Sequence, residues 1–569
     1  MIDTLITGGY VVDGTGAPGA IREVAIRDGR FVPPDQVGGS ARIIDAAGLV
    51  VAPGFVDVHT HYDAQLSWDP AASPSPLHGV TTAIGGNCGF TLAPAGEAHA
   101  DYLMRLMARV EGMPLAALEA GLPWDWKSYE DWVTRFDGHL GINAGFLTGH
   151  SAIRRVVMGE ACHETATDEQ VREMACLVTE ACRAGALGFS TSRAPTHNDG
   201  NGDPVPSRGA SLEELVTLAS AVAGVEGTTL AGILDGSLNG YTQEEMELLT
   251  AMSVGANRPI NWNVLGGSSI SGGAHTHQLA ASDYAAAHGG RVVALTLPNN
   301  MGIRLSFLSG FALDGLPGWG PVIKLPIPER IRALADPDVR HRLREGAASD
   351  TGVLRLLANW PRLEVVEVTS AANRGLEGRS IGEIAAERGA DPFDVLCDIV
   401  VADDLRTGLR PAVAPTAAEE WGLRAEVWRD PRTVVGGSDA GAHLDMMCGA
   451  TYSTAVLAHA VREFGVISLE EAIEQLSDVP ARLYGLRGRG RISDGYAADT
   501  VLFDPDTVGY EPERMREDLP GGAWRLYAEG IGIHHVLVNG TPIVNDGRIM
   551  GNTPGTQLHS GRDTYTVTP

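Results

Sequence analysis
The chain has 569 residues, with 43 Lys+Arg against 71 Asp+Glu, a formal charge of −28 and 44% hydrophobic residues. That charge excludes a nucleic-acid binder, which needs clustered basic surface, and speaks against docking on anionic lipid; the apolar fraction is that of a globular protein with a large core. No apolar run approaches the ~20 residues that cross a bilayer, the first residues lack the basic start of a signal peptide, and six scattered cysteines (Cys88, Cys162, Cys176, Cys182, Cys397, Cys448) read as reduced thiols of a cytoplasmic protein.

Residues 1–52 divide into short strand-like runs separated by turns: Leu5-Ile6-Thr7, Tyr10-Val11-Val12, Val24-Ala25-Ile26, Ile43-Ile44-Asp45 and Leu49-Val50-Val51. The middle, 53–487, alternates strand-like runs at 54–59, 79–86, 142–149, 186–191, 228–234, 259–265, 291–297 and 433–438 with helical patterns. Val171, Met174, Ala175, Val178 and Cys182 mark one apolar helix face, and Asp168 and Glu169 sit where that helix's first turn favours acid. Repeated βα units predict a parallel sheet in an α/β fold, a (β/α)8 TIM barrel with its site at the C-terminal strand ends. The stretch 298–430 is too long for one connection and predicts a helical insertion. Residues 488–569 turn β-rich again, with Thr500-Val501-Leu502-Phe503 and Val536-Leu537-Val538, so both termini are expected to build a small β-sandwich.

Three strand ends carry chemistry. Val56-Asp57-Val58-His59-Thr60-His61-Tyr62-Asp63 ends the first barrel strand; residues two apart on a strand share a face, so His59 and His61 can aim two imidazoles at one cation. Asn87-Cys88-Gly89 ends the second, and a thiolate is a strong zinc ligand, although an inert buried thiol is the alternative. Ser438-Asp439-Ala440-Gly441-Ala442-His443 ends the last: Asp439 can bind metal or take a proton from water, or merely cap the next helix, and His443 can orient substrate. His275-Thr276-His277, in a Gly/Ser-rich stretch that includes Ser268, Gly272 and Gly273, is expected to be an exposed loop pair.

These pieces, with Gly149-His150 and the tail motifs Pro480-Ala481-Arg482-Leu483-Tyr484-Gly485 and Ala497-Ala498-Asp499, resemble the amidohydrolase superfamily and, within it, the N-acyl-D-amino-acid deacylases. The resemblance implies His59, His61, Cys88 and Asp439 as metal ligands, with Asp439 also the general acid/base. Two histidine ligands of that family are replaced, with Gly232 aligned to the fifth-strand position and Asn263 to the sixth. The superfamily's bridging carboxylated lysine has no counterpart, since the only lysines are Lys127, placed in a helical region, and Lys324, in the insertion. What remains suits one Zn2+ per chain.

Around the mouth, His150, Arg154, His197, Asn263 and His443 are candidates for substrate contact. Arg154 can clamp a carboxylate bidentately or sit in a helix salt bridge; His197 can contact substrate, replace a ligand or occupy a polar turn. Phe307, Phe311, Leu316 and Trp319 can wall a pocket or pack the insertion, and His534-His535 reads as structural. The expected activity is hydrolysis of a small-molecule amide C–N bond, with an N-acyl-D-amino acid as the nearest analogy and a homodimer as the default assembly. Carbamate or ester hydrolysis and metal-assisted decarboxylation are alternatives on the same site, and a non-catalytic ligand-binding barrel is the alternative in another class.

Overall fold
The computed structural model describes residues 3–36, 42–267, 269, 273–298, 303–310, 313–349, 357–411 and 417–569; Ser268, Gly272 and Phe311 lie outside the described residues. The parallel strands are β1 (Phe55–Asp57), β2 (Val80–Gly85), β3 (Asn143–Phe146), β4 (Gly188–Ser192), β5 (Thr229–Ile233), β6 (Ile260–Leu265), β7 (Val292–Thr296) and β8 (Thr433–Val435). One three-stranded sheet has the order β3-β2-β1, and a six-stranded sheet runs from Thr148–Gly149 through β4, β5, β6 and β7 to β8. Two links join these sheets: β3 runs on almost directly into Thr148–Gly149, and Thr60 bridges Ala440 just beyond β1 and β8.

Helices alternate with these strands for visible reasons. The helix Asp168–Arg183 starts at a Thr167 capping box with Asp168 and Glu169 in its first turn, and Met174, Val178, Ala181 and Cys182 bury its inner stripe. A separate apolar cluster fills the space between strands and the C-terminal segment, with Val56, Val58, Ile84, Leu147, Ala231, Leu295 and Val434 meeting Tyr484 and Leu558. Each Val, Leu or Ile side chain there contributes about 1.5–3 kcal/mol by leaving water.

The connection between β7 and β8 builds its own core. Leu305, Phe307, Leu316, Trp319, Leu343, Phe393 and Leu409 pack together there, so the apolar run packs the insertion. It is helical, with Ile327–Ala335, Pro337–Ser349, Ile381–Arg388 and Pro392–Ala402, and adds an antiparallel pair, Glu364–Glu367 with Gly408–Arg410. The insertion ends earlier than 430, because Trp421, Ala425 and Trp428 of the helix Ala418–Trp428 join the main core.

The chain ends build two further sheets and share the larger of them. Val50–Pro53 pairs antiparallel with Thr500–Phe503 at the centre of a seven-stranded sheet, and a four-stranded sheet holds Thr4–Thr7, Val24–Arg27, Arg30–Val32 and Arg42–Asp45. Ile6, Ile26 and Phe31 of the smaller sheet pack on Val51, Leu502 and Leu537 of the larger. The tail does not stay with them: Gln557 bridges Ala144, and Leu558 donates its N–H to the Ala144 carbonyl, so the last segment returns to the parallel strands. Among the described residues, no helix is long and apolar enough to cross a membrane.

Candidate metal centre
The strand β1 ends at Asp57, so His59 and His61 sit just past it, where regular alternation has stopped. Their rings still converge, with centroids 5.4 Å apart at 68°. Thr60 is held between the ends of β2 and β8, with its N–H and hydroxyl both donating to the Ile84 carbonyl. The His61 N–H donates to the Ala440 carbonyl and the Asp439 N–H to the His59 carbonyl, which ties the last strand end to the first.

Cys88 enters from β2. Gly86 before it has φ +72°, and a Cβ there would lie 2.3 Å from the Leu147 carbonyl oxygen, so glycine lets the β2 end pass against the β3 continuation. Cys88 itself has φ 55°, Asp439 58° and His443 50°; these left-handed non-glycine residues store strain where the side chains converge. Gly441 has φ +87°, and a Cβ there would meet the His61 carbonyl carbon at 2.8 Å, so the β8 loop can close on the histidine pair.

One ligand atom from each of His59, His61 and Cys88 lies within 4.8 Å of the others, and all three residues are buried. Cys88 Sγ is 3.5 Å from His59 Nε2. Asp439 Oδ1 approaches both rings, 3.2 Å from His61 Nε2 and 3.6 Å from His59 Nε2, and its Oδ2 is 3.5 Å from His443 Nε2. The side chains of His59 and His61 are 3% and 1% exposed, whereas Asp439 and His443 are 16% and 13% exposed, so the cluster reaches solvent on the Asp439 side.

Burial pushes the His59 imidazole down to about 3, against the pull of Asp439, and leaves it neutral with a lone pair to give. At His61 burial is outweighed by the Glu111 and Asp439 carboxylates, which hold the ring protonated well above the ordinary range. Burial raises the Cys88 thiol to about 11. A cation here would displace those protons. Burial would also raise Asp439, but His61, His443 and His59 outweigh it and hold the carboxyl below its usual range.

With two imidazoles, a thiol and a carboxylate converging at the ends of parallel strands, the comparison with known proteins becomes specific. The model of the Amidohydrolase family matches residues 42–544. The chain belongs to the amidohydrolase family. It is a hydrolase of carbon–nitrogen bonds other than peptide bonds. It is 27% identical to the D-aminoacylase of Alcaligenes xylosoxydans xylosoxydans over 98% of this chain and 97% of that protein. It is 28% identical to the N-acyl-D-aspartate deacylase of the same organism over 98% of this chain and 95% of that protein. A solved D-aminoacylase structure, described with a binuclear metal centre, one-metal activation and second-metal attenuation, superposes at a TM-score of 0.65. Its identity is 26%, with 98% of this chain and 100% of that one covered.

In this amidohydrolase the other sequence candidates separate into two groups. Asn263 contacts the cluster, and His197 lies within electrostatic range of it. Asn263 Nδ2 is 3.2 Å from His59 Nε2. His197, held through Nδ1 at 2.7 Å by Ser192 Oγ and 5.2 Å from the Phe90 ring, lies in the electrostatic field of His443, Asp439 and His61, and burial pushes it down to about 3.

His150 and Arg154 do not join it, which corrects their expected substrate contact. His150 Nε2 is 2.8 Å from Glu214 Oε1 and Nδ1 is 2.9 Å from Thr191 Oγ1. Arg154 is fully buried, paired with the same Glu214 carboxylate, and also donates to the Cys162 and Glu164 carbonyls. A buried arginine with each nitrogen engaged by protein braces the helix layer and does not reach for substrate.

Gly232 is also corrected. A Cβ on it would point at Ile260 Cδ1 (3.5 Å) and Thr191 Cγ2 (3.6 Å), in the layer behind the strand. Ala231 pairs with Asn261, whose amide reaches Tyr484 in the interior, so alternation puts Ile233, not Gly232, on the face that Asn263 shares. His275 and His277 lie on the helix Ala274–Ala287, not in a loop. Lys127 is exposed before the helix Tyr129–Val133, not within a helix, and the Lys324 ammonium donates to the Gly202 carbonyl; neither approaches the cluster.

The sequence reading missed Glu111. Its Oε1 lies 3.4 Å from His61 Nδ1, and its backbone carbonyl accepts from the His443 N–H. Burial pushes its carboxyl up to about 8 against the pull of His61. One signal exists in the sequence: an acid directly after the helix Glu97–Val110, where the helix dipole disfavours negative charge.

Proposed function
We propose that this amidohydrolase is a metal-dependent hydrolase of a small amide, and that N-acyl-D-amino acids are the substrate class nearest its activity. The observation that carries the reading is the convergence of His59, His61 and Cys88, with Asp439 beside both imidazoles. Nitrogen and sulfur donors in this number fit one Zn2+ with room for water or substrate. When bound, the metal supplies a Lewis acid that polarises a carbonyl and acidifies water.

The protein's own groups do the rest. Asp439, on the solvent side of the cluster, takes a proton from the attacking water as its oxygen bonds to the amide carbon. It returns that proton to the nitrogen as the C–N bond breaks, which releases a carboxylic acid and an amine. His443, 3.5 Å from Asp439, orients the acyl group together with His197, and Asn263 lines the floor. The two relatives that act on N-acylated D-amino acids support the substrate class.

The wider architecture follows the same reading. We take the two parallel sheets as arcs of one (β/α)8 barrel over 53–487, supported by the continuity of β3 with Thr148–Gly149 and by the Thr60–Ala440 bridge. We take the terminal sheets, from 1–52 and 488–569, as a β-sandwich, supported by the shared cluster of Ile6, Phe31, Val51 and Leu502.

Metal analysis of the purified protein is expected to return about one zinc per chain, and a panel of N-acyl D- and L-amino acids is expected to contain a substrate of D configuration. Two tightly held metals would overturn the one-metal site. Bound metal without turnover of any amide would overturn the reaction.

A further inference from the structure
Two carboxylates face the two nitrogens of one ring. Asp439 Oδ1 stands 3.2 Å from His61 Nε2, and Glu111 Oε1 stands 3.4 Å from His61 Nδ1 on the opposite edge. Neither ring's Nδ1 makes a hydrogen bond, but His61 Nδ1 has a carboxylate at 3.4 Å, whereas His59 Nδ1 faces none among the described contacts. His61 is therefore the ring whose orientation a facing carboxyl group can set.

We propose that Glu111 is a positioning residue: it holds the proton of His61 on Nδ1 and so presents Nε2 to the cation. This rests on the metal reading above. A ligating imidazole can use only one nitrogen, and a carboxylate facing the other fixes both the tautomer and the ring plane while raising the basicity of the donor.

The position of Glu111 supports this role and is costly for any other. It directly follows the helix Glu97–Val110, where the helix dipole disfavours a charged carboxyl group. Its side chain is 3% exposed, and a buried carboxylate needs a partner. The charged neighbour within 4 Å is His61. The backbone of the same residue accepts from His443 N–H, so Glu111 braces a first-strand and a last-strand residue at once. Two residues earlier, Arg109 pairs with Asp314 of the insertion, which anchors the end of the helix from the other side.

The test compares Glu111→Gln and Glu111→Asp with the unaltered full-length protein. Zn2+ affinity is measured by competition with a chromophoric chelator, and the thiolate-to-cobalt absorption of the Co2+-loaded protein reports Cys88. Glu111→Gln is expected to weaken Zn2+ binding about 10–100-fold, with partial recovery in Glu111→Asp. The thermal midpoint of the metal-free protein is expected to move little, and the cobalt–thiolate band is expected to persist at saturating metal. A merely structural role would shift the midpoint and leave affinity alone. Zn2+ affinity in Glu111→Gln within twofold of the unaltered protein overturns the proposal. Should that variant fail to fold, Glu111→Asp decides it: weakened affinity supports the role and unchanged affinity overturns it. Failure of the unaltered protein to bind Zn2+ at all would instead overturn the metal reading, and the proposal with it.

Discussion

Ser438 Oγ donates to Asp57 Oδ2 at 2.5 Å, across 381 positions of sequence. The bond fastens the last parallel strand to the first immediately before the two turns that carry Asp439 and His59. The same hydroxyl accepts from the Ala440 N–H at 3.0 Å, so it also shapes the backbone around Asp439. Burial pushes the Asp57 carboxyl up to about 7, and the Ser438 bond opposes that rise.

Ser438→Ala should therefore act in two ways. It leaves the buried Asp57 short of a partner, a loss of about 1–3 kcal/mol, read as a lower denaturant midpoint at unchanged slope. It also frees the Asp439 turn, so kcat is expected to fall about tenfold. An unchanged kcat in the folded variant would show that the Asp439 backbone is held without Ser438.

Asp439→Asn separates chemistry from assembly. The amide keeps the size of the side chain but cannot take a proton, and general-base catalysis is worth ~10²–10⁴ in rate. Turnover is expected to fall by that factor, with near-unchanged circular dichroism. Activity within twofold of the unaltered enzyme would remove Asp439 from its assigned role.

The legible part of the site was the part encoded locally. His59 and His61 stand two apart after Pro53-Gly54-Phe55, Cys88 stands among glycines, and Asp439 follows a glycine pair; each is a short motif at a strand end. Glu111 was not legible because its partner lies 50 positions away, and only the packing of a helix end against the first strand brings them together. For Arg154 the sequence left substrate clamp and salt bridge both open, and nothing near it announces Glu214, 60 positions on, as its partner. Gly232 proved to turn away from the face that Asn263 shares, because in a strand each residue reverses the face. The alternation of strands and helices was readable from periodicity and turns. The return of Leu558 to Ala144 was not, because it rests on backbone hydrogen bonds that carry no side-chain signature.

Removal of metal should be reversible in function. Exhaustive chelation is expected to abolish turnover, and added Zn2+ is expected to restore it and raise the thermal midpoint, since a ligand that binds only the folded state stabilises it. Cys88→Ser replaces the thiol with a poorer zinc donor and is expected to weaken Zn2+ binding at least tenfold, measured by chelator competition. Activity that survives chelation would remove the metal from the reaction.

The network that absorbed His150 and Arg154 predicts the acid limit of the fold. Burial alone would raise the Glu214 carboxyl, but its bonds to His150 and Arg154 outweigh it and hold the group below its ordinary 4.5. Burial holds His150 below its ordinary 6.5, against the pull of Glu214. Both groups are depressed in the folded state, so the unfolded chain binds their protons more readily and stability falls as pH falls. The His150 contribution is complete above about 6.5 and the Glu214 contribution above about 4.5; each is lost below that value, down through its folded pKa. Glu214→Gln removes the lower of the two steps. It leaves Arg154 charged and buried without its anion, a loss of about 3–5 kcal/mol at neutral pH. Chemical denaturation at closely spaced pH values is expected to show the unaltered protein losing stability below pH 4.5 more steeply than the variant. Parallel curves for the two proteins over that range would show that Glu214 does not set the acid limit.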